Sequence, residues 1–541
     1  MQSDKKAKVR EIAANLGAPP EFVEASLSVR QATTMRGKLK AFQKERQLIE
    51  KGMAAAVQRH HEQGKLTARE RINRLLDPGS FEELDLWHRP YETGFDIGES
   101  SSQGDGVVVG YGTVDGRSVS VWAQDATVLG GTLGTVHARK ITMIMENALK
   151  ARTPVIGIVD SLGLRAHDAI QYPDYYSSSS MAYFLTMASG VIPKIALIMG
   201  PCTGETAVIA NLNDFIFMTK KTSYMHLMPP PSGIDGQILG DAWNIQAKNG
   251  SCSVIAEDDE DCLAKCRHLL SYLPSSNTEK PPVVKRGDDP NRREEELLEI
   301  VPVDSSKWYN MYRLLSLVLD NGELFELKRN FARNLITGLA RLDGKTVGII
   351  ANNPQDKAGC LNLDAADKMT HLVRFCDAFN IPLVWIADTP AFLPAVEEER
   401  RGLIRHGAAM VMANSEATVP QITVAVRKHY GGGRLGMPGQ SLLGDLHVSW
   451  PAYEPGVMGA RGAVAVIYRK ELASITDESA RKRQEEKRVE EMQWQLDMQI
   501  REATQMIIDP RETRPFLIRA LRWLKDKNEV LHPKKHDNIR M

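Results

Sequence analysis

Short apolar runs rich in β-branched residues begin near residue 105. Four of them are GVVVGYGTV (106–114), SVSVWAQD (118–125), PVIGIVDS (154–161) and KIALIMG (194–200). Runs of this length and composition are typical of strands that are buried on both faces of a sheet. TVHARKITMIMENALKAR (135–152) lies between the second and third runs and has helical character. The alternation predicts an α/β fold.

The same β/α pattern resumes in the second half of the chain. It continues through VGIIANNP (347–354), PLVWIADTP (382–390), QITVAVRK (421–428) and AVAVIYRK (463–470). The intervening segment 274–304 is rich in Pro and charged residues and has no sustained apolar period, so we predict the domain boundary there.

Two charged segments flank this pattern. Residues 30–76 are poor in Gly and read as mainly helical, up to a turn at Asp77-Pro78-Gly79. Residues 475–505 predict one long helix whose charges alternate in sign, as in a solvated or subunit-contacting helix and unlike a nucleic-acid patch. We therefore expect an N-terminal helical extension over 1–90 and two α/β domains over 91–290 and 305–541.

The two α/β halves have similar sequence patterns. PVIGIVDSLG (154–163) corresponds to PLVWIADTPA (382–391), and SGVIPKIALIMGPCTGE (189–205) corresponds to EATVPQITVAVRKHYGGG (416–433). Each half then delivers a turn that contains Gly, so the pattern predicts a duplicated domain and not a solenoid. Two copies of one anion-binding turn imply two stabilised oxyanions, and hence two carbonyl-bearing substrates.

The first of these turns has an unexpected composition. In LIMGPCTGETAVIANLNDF (197–215), a strand-like run reaches Gly204 and then feeds a helix. Backbone N–H groups at such a turn can hold a developing oxyanion. The next residues are Glu205 and Thr206, although close backbone approach to a ligand normally favours Gly or Ala.

Composition narrows the class of protein. The 541 residues predict two to four domains, and a formal net charge of zero gives no reason to expect nucleic acid or an anionic membrane as partner. No apolar run reaches the roughly 18 residues of a transmembrane helix, and the N-terminus has no apolar core typical of a secretory signal. Six scattered cysteines without a C-x-x-C pair favour reduced thiols in a cytoplasmic protein over a disulfide or zinc framework.

An ordered set of motifs resembles one family. The set includes GKLTARERINRLLDPGSF, GGTLGTVHARKI, SGVIPKIALIMGPC and AEDDEDC in the first half, and AGCLNLDAADK, RFCDAFNIPLV, IRHGA, EATVP, YGGG, VMGARGAV, IDPRETR and PKKHDNI in the second. Over residues 35–541 the chain resembles the carboxyltransferase (β) subunit of biotin-dependent acyl-CoA carboxylases and decarboxylases, of the propionyl-CoA carboxylase β type. The resemblance implies an α/β fold of two tandem crotonase-like domains.

The resemblance also implies the chemistry: a carboxyl group moves between carboxybiotin and the α-carbon of an acyl-CoA. The domain at 91–290 is expected to bind the acyl-CoA, and the domain at 305–541 the biotin. Backbone donors are expected to hold both developing negative charges, without a metal or a protein nucleophile. Because the chain has neither a biotinylation site nor an ATP-grasp loop, a biotin carboxylase and a biotin carrier are expected as separate chains, with this subunit in a homo-oligomer of six.

The resemblance assigns site residues at matching positions. The catalytic set at the two oxyanion turns is Gly163, Leu164, Gly204, Glu205, Gly432 and Gly433. The set expected to bind CoA or biotin is Gly130, Gly131, Arg139, Lys140, Arg165, Gly402, Tyr430 and Gly459. Of these, Arg139 and Lys140 are expected to neutralise CoA phosphates, with a solvated helix face as the alternative.

The chain departs from the family where substrate is expected. The family's D-S-G-G-A-R is Asp160-Ser161-Leu162-Gly163-Leu164-Arg165 here, and its G-P-C-A-G-G-A ends in Gly204-Glu205-Thr206. On the biotin side, Gly431-Gly432-Gly433 keeps the turn, whereas Arg434-Leu435 replaces Tyr-Asp, Ala391 and Ala395 replace Gly, and Arg401-Gly402 replaces Gly-Gly. Because the changes cluster at the substrate positions, they predict an atypical acyl group.

Three interpretations remain open. The subunit carboxylates an atypical acyl-CoA or related carbonyl compound, it works as a decarboxylase that passes a carboxyl group from an acyl-CoA to biotin, or it has lost carboxyl transfer. Glu205 either caps a helix, pairs with a cation such as Arg165, or contacts a polar group of the substrate. His60-His61, on the early charged segment, is expected to face solvent.

Overall fold

The computed structural model describes residues 7–13, 20–91, 104–172, 178–228, 230–285, 287–439, 442, 444–536 and 538. The chain divides into two compact units. The first unit is Met1–Ser271 with Ser275–Asn277, and the second is Tyr272–Pro274 with Thr278–Met541. Most of the Pro- and charge-rich segment 274–304 thus belongs to the second unit, and the helical residues 20–75 belong to the first.

The first unit begins with helices and continues as an α/β layer structure. Residues 7–13 are helical (α1). The other helices are α2 (Pro20–Gln31), α3 (Met35–Lys51), α4 (Ala54–Glu62), α5 (Ala68–Leu75), α6 (Thr135–Ala151), α7 (Ala166–Gln171), α8 (Ser178–Ala188), α9 (Glu205–Ala210), α10 (Gly236–Gly240), α11 (Ala242–Ala247) and α12 (Asp259–Leu270). The strands are β1 (Glu82–Leu84), β2 (Val107–Val114), β3 (Arg117–Gln124), β4 (Val155–Ser161), β5 (Lys194–Thr203), β6 (Phe215–Thr219), β7 (Tyr224–His226) and β8 (Val254–Ala256).

The second unit repeats this plan. Its helices are α13 (Met311–Val318), α14 (Leu363–Ala378), α15 (Val396–Arg401), α16 (Leu403–Glu416), α17 (Gly433–Gly436), α18 (Ala460–Ile467), α19 (Arg469–Ala473), α20 (Glu478–Gln499) and α21 (Thr513–Trp523). Its strands are β9 (Leu324–Leu327), β10 (Leu335–Leu342), β11 (Lys345–Asn352), β12 (Leu383–Thr389), β13 (Gln421–Tyr430), β14 (Leu446–Ser449), β15 (Glu454–Gly456) and β16 (Met506–Ile507).

The two sheets have the same topology. The first runs β1-β2-β3-β4-β5-β6-β8 with β7 paired to β5, and the second runs β9-β10-β11-β12-β13-β14-β16 with β15 paired to β13. In each sheet the first two pairings are antiparallel and the later ones are parallel. The internal echo in the sequence therefore corresponds to a structural duplication.

Local sequence explains where individual helices begin. Helix α5 starts with a capping box, in which the Thr67 side chain accepts from the N–H of Glu70 and Glu70 accepts from the N–H of Thr67. Helices α12, α14 and α20 start after Asp258, Asn362 and Asp477, and each of these side chains accepts a backbone N–H of the first turn.

Each unit has its own apolar core. In the first unit, buried β-strand residues such as Val109 and Ile198 pack with Ile141 and Ala148 of α6. In the second unit, Ile349 and Val424 pack with residues of α13 and α21. Since strands β4, β5, β12 and β13 are buried at every or nearly every position, they supply rigid supports for whatever follows them.

One apolar run does not form a strand. Within AVAVIYRK (463–470), which continued the β/α pattern in the sequence, the structure places the end of α18 and the start of α19. Of the α18 side chains, Ala460 and Val464 are buried one helical turn apart, whereas Val466 and Ile467 are exposed. The order of burial follows the helical period, and tertiary packing overrides the β-propensity of the valines.

The long helix predicted over 475–505 is present as α20 (Glu478–Gln499). Across the described part of the chain, no helix combines the length and the apolar character that crossing a membrane requires.

Candidate functional site

Two turns at the carboxyl ends of β4 and β5 form the candidate site of the first unit. After β4, Leu164 forms a parallel bridge with Leu133. After β5, Gly204 adopts φ 67° and ψ −138°, a conformation that favours glycine, and α9 begins at Glu205. A β-carbon added to Gly163 would lie 3.0 Å from the carbonyl oxygen of Thr203, so the two turns are in close contact.

Some backbone N–H groups of these turns are already bonded. Gly163 donates to Oγ of Ser161 at 3.1 Å, and Gly204 donates to the carbonyl of His226 at 3.0 Å. The N–H groups of Leu164 and Glu205 have no acceptor among the described residues. Of the four residues predicted for this oxyanion hole, the structure thus leaves Leu164 and Glu205 with available donors.

The second unit reproduces this arrangement. Phe392 forms the parallel bridge with Leu361, as Leu164 does with Leu133. Gly431 has φ 44° and donates to the carbonyl of Gly456 at 2.9 Å, as Gly204 does to His226.

The donors of the second turn also correspond to those of the first. The N–H groups of Phe392, Gly432 and Gly433 have no acceptor in the described part of the chain. A β-carbon added to Gly432 would lie 2.7 Å from Cδ2 of Phe392, so the two turns touch here as well. Phe392 is a candidate that the sequence assignment missed, although aligning the two halves on Leu164 would have found it.

The surroundings of the first turn are apolar with one carboxylate. Leu162 and Leu164 are 59% and 43% exposed, and Glu205 is exposed and accepts a hydrogen bond from Oγ of Ser178. Thr206 is buried, and its hydroxyl donates to the carbonyl of Thr203 at 2.7 Å. Leu162, Leu164 and Glu205 are therefore available to a substrate, whereas the hydroxyl of Thr206 is engaged in the turn itself.

Arg165 does not pair with Glu205. Its guanidinium is buried, and Nη1 lies 2.6 Å from Oδ1 of Asp105 and 3.6 Å from Oδ2 of Asp168. The remaining nitrogens donate to the hydroxyl and carbonyl of Thr132. Pairing between Arg165 and Glu205, which we offered as one explanation of Glu205, is wrong because two buried carboxylates already hold the cation.

The predicted role of Lys140 at CoA phosphates also needs correction. Lys140 is fully buried, and its ammonium donates to the carbonyls of Gly104 at 2.9 Å and Val107 at 2.6 Å. Burial lowers the pKa of Lys140 to about 8. The side chain therefore faces the interior, where it ties α6 to the start of β2. Its neighbour Arg139 is half-buried and lies 3.0 Å from Nε2 of His88.

The remaining predicted residues fall into separate groups. A β-carbon on Gly130 would lie 3.2 Å from Cδ1 of Leu162, which places Gly130 beside the acyl-side turn. Tyr430 donates its hydroxyl to Glu454, and a β-carbon on Gly459 would lie 3.2 Å from that hydroxyl. Gly131 packs against the backbone of Asp160. Gly402, with φ 99°, ends α15 and precedes α16.

Asp160, directly before the first turn, is the centre of a buried charge cluster. Its carboxylate lies 2.8 Å from Nζ of Lys65, 2.8 Å from Nη1 of Arg71 and 3.4 Å from Nε2 of His60. Burial by itself raises the pKa of Asp160, but Arg71, His60 and Lys65 together hold the pKa below its usual range. His60 is buried, so the expectation that it faces solvent is wrong.

No cluster of three or more His, Cys, Asp or Glu residues suited to a metal ion occurs among the residues that the structure describes. The two turns present backbone N–H donors that have no acceptor among the described residues, and the carboxylate of Glu205 lies at the first turn. Such donors fit negative charge that develops on a carbonyl oxygen or a ureido oxygen.

Known proteins resemble this chain over most of its length. The family described as "Carboxyl transferase domain" matches residues 59–539. The methylmalonyl-CoA decarboxylase subunit alpha of Veillonella parvula is 43% identical over 89% of this chain and 94% of that protein. The propionyl-CoA carboxylase carboxyltransferase subunit of Haloferax mediterranei is 41% identical over 92% of this chain and 98% of that protein.

A solved structure agrees in fold. The transcarboxylase 12S hexamer, with hydrolysed methylmalonyl-coenzyme A bound, matches with a TM-score of 0.89 and 40% identity over 94% of this chain and 100% of that chain. The predicted α/β fold of two crotonase-like domains is thereby confirmed. With the family match over 59–539 and relatives above 40% identity, the chain belongs to the carboxyl transferase family.

Proposed function

We propose that this protein is the carboxyltransferase subunit that moves a carboxyl group between carboxybiotin and the α-carbon of an acyl-CoA. The observation that carries the proposal is the duplicated pair of turns. Leu164 and Glu205 in the first unit, and Phe392 and Gly432 in the second, present backbone N–H groups without acceptors at corresponding positions within the described chain. Two such donor pairs suit a reaction in which two carbonyl-type oxygens gain negative charge.

The first unit is proposed to act on the acyl-CoA. The N–H groups of Leu164 and Glu205 would hold the thioester oxygen as the α-carbon becomes nucleophilic. In a site that excludes water, one such donor contributes on the order of 2.7–4 kcal/mol to stabilising the charge. Because the donors belong to the backbone, the large side chains at these positions leave the donors in place and change the space around them.

The second unit is proposed to act on biotin. When bound, biotin would supply the carboxyl group and a ring nitrogen able to accept the α-proton. The N–H groups of Phe392 and Gly432 would hold the ureido oxygen, with Gly433 as a further donor, and Tyr430 and Gly459 lie next to each other near this turn. The biotin would arrive on a separate carrier chain that a separate biotin carboxylase charges.

The acyl group is proposed to differ from propionyl and acetyl. Exposed Leu162 and Leu164 and the carboxylate of Glu205 border the acyl-side turn, and exposed Leu435 follows the biotin-side turn. This combination suits an acyl group that has an apolar surface and also carries a hydrogen-bond donor. We propose a cytoplasmic enzyme, in keeping with six buried cysteines that are all free thiols.

Decarboxylation is a second candidate direction. It is favoured by the 43% identity to the Veillonella parvula protein, whose name is methylmalonyl-CoA decarboxylase subunit alpha. The same two donor pairs serve both directions, so the direction depends on the partner subunits.

Radiolabel transfer tests the proposal. The purified subunit is mixed with a biotin carrier, a biotin carboxylase, ATP, [¹⁴C]bicarbonate and a panel of acyl-CoAs that differ in chain length and polarity. We expect label in at least one CoA ester, with propionyl-CoA carboxylated about 100-fold more slowly because misplacement of the α-carbon by about 1 Å costs that much. Ordinary rates with propionyl-CoA would contradict the atypical acyl group.

The reverse assay completes the test. Labelled malonyl- and methylmalonyl-type CoA esters are incubated with the subunit and biotin, and transfer of label to biotin is measured. Transfer without forward activity supports the decarboxylase direction. Absence of label transfer in both directions would reject the proposed function.

A further inference from the structure

A buried carboxylate stands immediately before the site turn in each unit. Asp160 is the next-to-last residue of β4, and Asp388 is the next-to-last residue of β12. In each sheet the register of the strand pair shifts at this aspartate. In the first sheet, Val159 pairs with Ile198, whereas Ser161, two residues later, pairs with Cys202, four residues later. The second sheet has the same shift between Ala387 and Thr389. Both carboxylates are completely buried, so each needs cations beside it.

In the second unit the neighbouring strand supplies these cations. Arg427 and Lys428 lie in the irregular part of β13, opposite Asp388. Nη2 of Arg427 is 3.0 Å from Oδ2 of Asp388, and Nζ of Lys428 is 3.9 Å from Oδ1. The N–H of Lys428 also donates to Oδ1 at 3.1 Å. The biotin-side turn is therefore held from within its own sheet.

The first unit has no cation at the corresponding positions. Counted from the start of each strand, Gly200 and Pro201 of β5 correspond to Arg427 and Lys428 of β13. A β-carbon on Gly200 would overlap Oδ1 of Asp160, so no other side chain fits there without displacing the carboxylate.

The cations of the first unit come from the N-terminal helices instead. Lys65, which precedes α5, and Arg71, within α5, each approach one oxygen of Asp160 to 2.8 Å. Arg71 also donates through Nη2 to the carbonyl of Met199 at 3.0 Å and through Nε to Asp259 at 2.8 Å. One guanidinium therefore joins β4 and β5, the two strands that end in the candidate site.

We infer that Arg71 and Lys65 are positioning residues for the acyl-side oxyanion turn, and that the N-terminal helices α4 and α5 are part of the machinery of that site. The inference rests on the proposed function of the turn. In the second unit, Arg427 and Lys428 of the neighbouring strand supply the positive charge beside Asp388. In the first unit, Arg71 supplies positive charge beside Asp160, although these two residues are 89 positions apart in the sequence. The acyl-side and biotin-side turns are consequently supported by different parts of the chain.

Single substitutions separate these supports. Asp160→Asn keeps the size of the side chain and removes its charge. Arg71→Lys keeps the charge but places all donors on one nitrogen, which cannot reach the three acceptors that Nε, Nη1 and Nη2 of Arg71 reach separately. Arg427→Lys is the corresponding change in the second unit. Asp214→Asn is the matched control, since this largely buried carboxylate accepts the N–H of Lys194 at 2.8 Å at the opposite end of β5.

Two measurements are made on the full-length oligomer. The first is carboxyl transfer, resolved into kcat, KM for the acyl-CoA, and the rate at which the carboxylated carrier loses its label without acyl-CoA. For Asp160→Asn and Arg71→Lys we expect kcat to fall about 100-fold, with KM for the acyl-CoA and carrier decarboxylation within about threefold of wild type. For Arg427→Lys we expect carrier decarboxylation to fall, and for Asp214→Asn no change.

The second measurement is hydrogen–deuterium exchange of the two turns, which needs no activity. Asp160→Asn and Arg71→Lys should accelerate exchange about tenfold or more in residues 161–166 and leave 389–393 unchanged. Equal acceleration in both turns, unchanged exchange in 161–166, or equal losses in both half-reactions would overturn the inference. If the wild type transfers no carboxyl group, the proposed function fails, and the exchange result alone decides whether α5 positions the turn.

Discussion

Glu205 is the residue whose role depends most on its immediate surroundings. It is the first residue of the six-residue helix α9, it is exposed, and it accepts a hydrogen bond from Ser178. A carboxylate at this helix position gains roughly 0.3–1 kcal/mol from the helix dipole. The same carboxylate opposes a negative charge that develops at its own N–H unless a donor of the substrate compensates.

Glu205→Gly distinguishes these roles. We expect activity on the native substrate to fall about 100-fold with folding intact, because the carboxylate would no longer bind the polar group of that substrate. Glu205→Gln is the control that keeps size and removes charge. If Glu205 only caps the helix, Glu205→Gly should lose about 1 kcal/mol of unfolding free energy and keep its activity. That result would contradict our assignment. Steady-state kinetics and denaturant unfolding measure the two effects.

Gly432→Val tests the biotin-side turn at the same scale. Valine would force Phe392 to move, because even a β-carbon at Gly432 lies 2.7 Å from its ring. We expect transfer involving biotin or its carrier to fall below about 1% of wild type, with binding of the CoA thioester unchanged by calorimetry. Gly462→Ala, on the exposed face of α18, should leave both unchanged. Normal transfer by Gly432→Val would reject the assignment of this turn.

At the scale of elements, the duplication extends to a pair of buried lysines. Lys140 of α6 and Lys368 of α14 each donate to two backbone carbonyls near the start of a strand. For Lys368 the acceptors are Phe331 at 2.9 Å and Leu335 at 2.7 Å. Each lysine therefore joins its helix to the first long strand of its sheet. For Lys140 this structural role replaces the ligand contact that the sequence predicted.

The burial of Lys368 predicts a pH dependence of stability. Burial lowers the pKa of Lys368 to about 7 in the folded protein, whereas an exposed lysine has a pKa of about 10.4. Between these values the unfolded chain binds a proton that the folded chain does not. The contribution of Lys368 to the unfolding free energy therefore rises with pH, by at most about 1.4 kcal/mol per pH unit.

Urea unfolding at about pH 7.5 and about pH 9.5, both between the two pKa values, measures this contribution. We expect the gain in stability between the two pH values to be smaller in Lys368→Met than in the wild type. Lys470→Met, at an exposed position of α19, should behave like the wild type. An equal gain in Lys368→Met and the wild type would show that the buried ammonium does not titrate in this range.

At the scale of the whole molecule, the exposed apolar side chains of the first unit indicate association. Several large ones lie on or near helices α8, α10 and α11, namely Tyr183, Met187, Leu227, Met228, Ile238 and Trp243. Large apolar side chains that a single chain leaves exposed are candidates for contacts with other subunits. We propose that these side chains are buried between subunits.

Light scattering at micromolar concentration tests the assembly. We expect a mass of about six times the 60.1 kDa of one chain, because the related transcarboxylase 12S assembles as a hexamer. Trp243→Glu should lower the mass, because it would place a charge in an apolar contact, whereas Trp523→Glu, at an exposed position of the otherwise largely buried helix α21, serves as the comparison. A monomer in the wild type would contradict the prediction.

The sequence by itself determined the elements and their repetition. Strands β2 to β5 and β11 to β13 were predictable because continuous apolar runs bounded by turn residues have few alternatives, and the order of the motifs identified the two-domain fold. The turn at Gly204 was predictable because its backbone conformation favours glycine. The backbone N–H donors of Glu205 and Gly432 were predictable as well, because each follows a turn that contains glycine. The catalytic roles of these donors stay a prediction.

Only the tertiary structure decided which charges meet. Arg71 and Asp160 are 89 residues apart and Arg71 and Asp259 are 188 residues apart, so no local pattern connects them. The partners of Arg165, the inward direction of Lys140 and the burial of His60 depend in the same way on how helices pack against the sheet. Sequence patterns report the period of burial along one element, whereas the partner of a buried charge is set by the element that covers it.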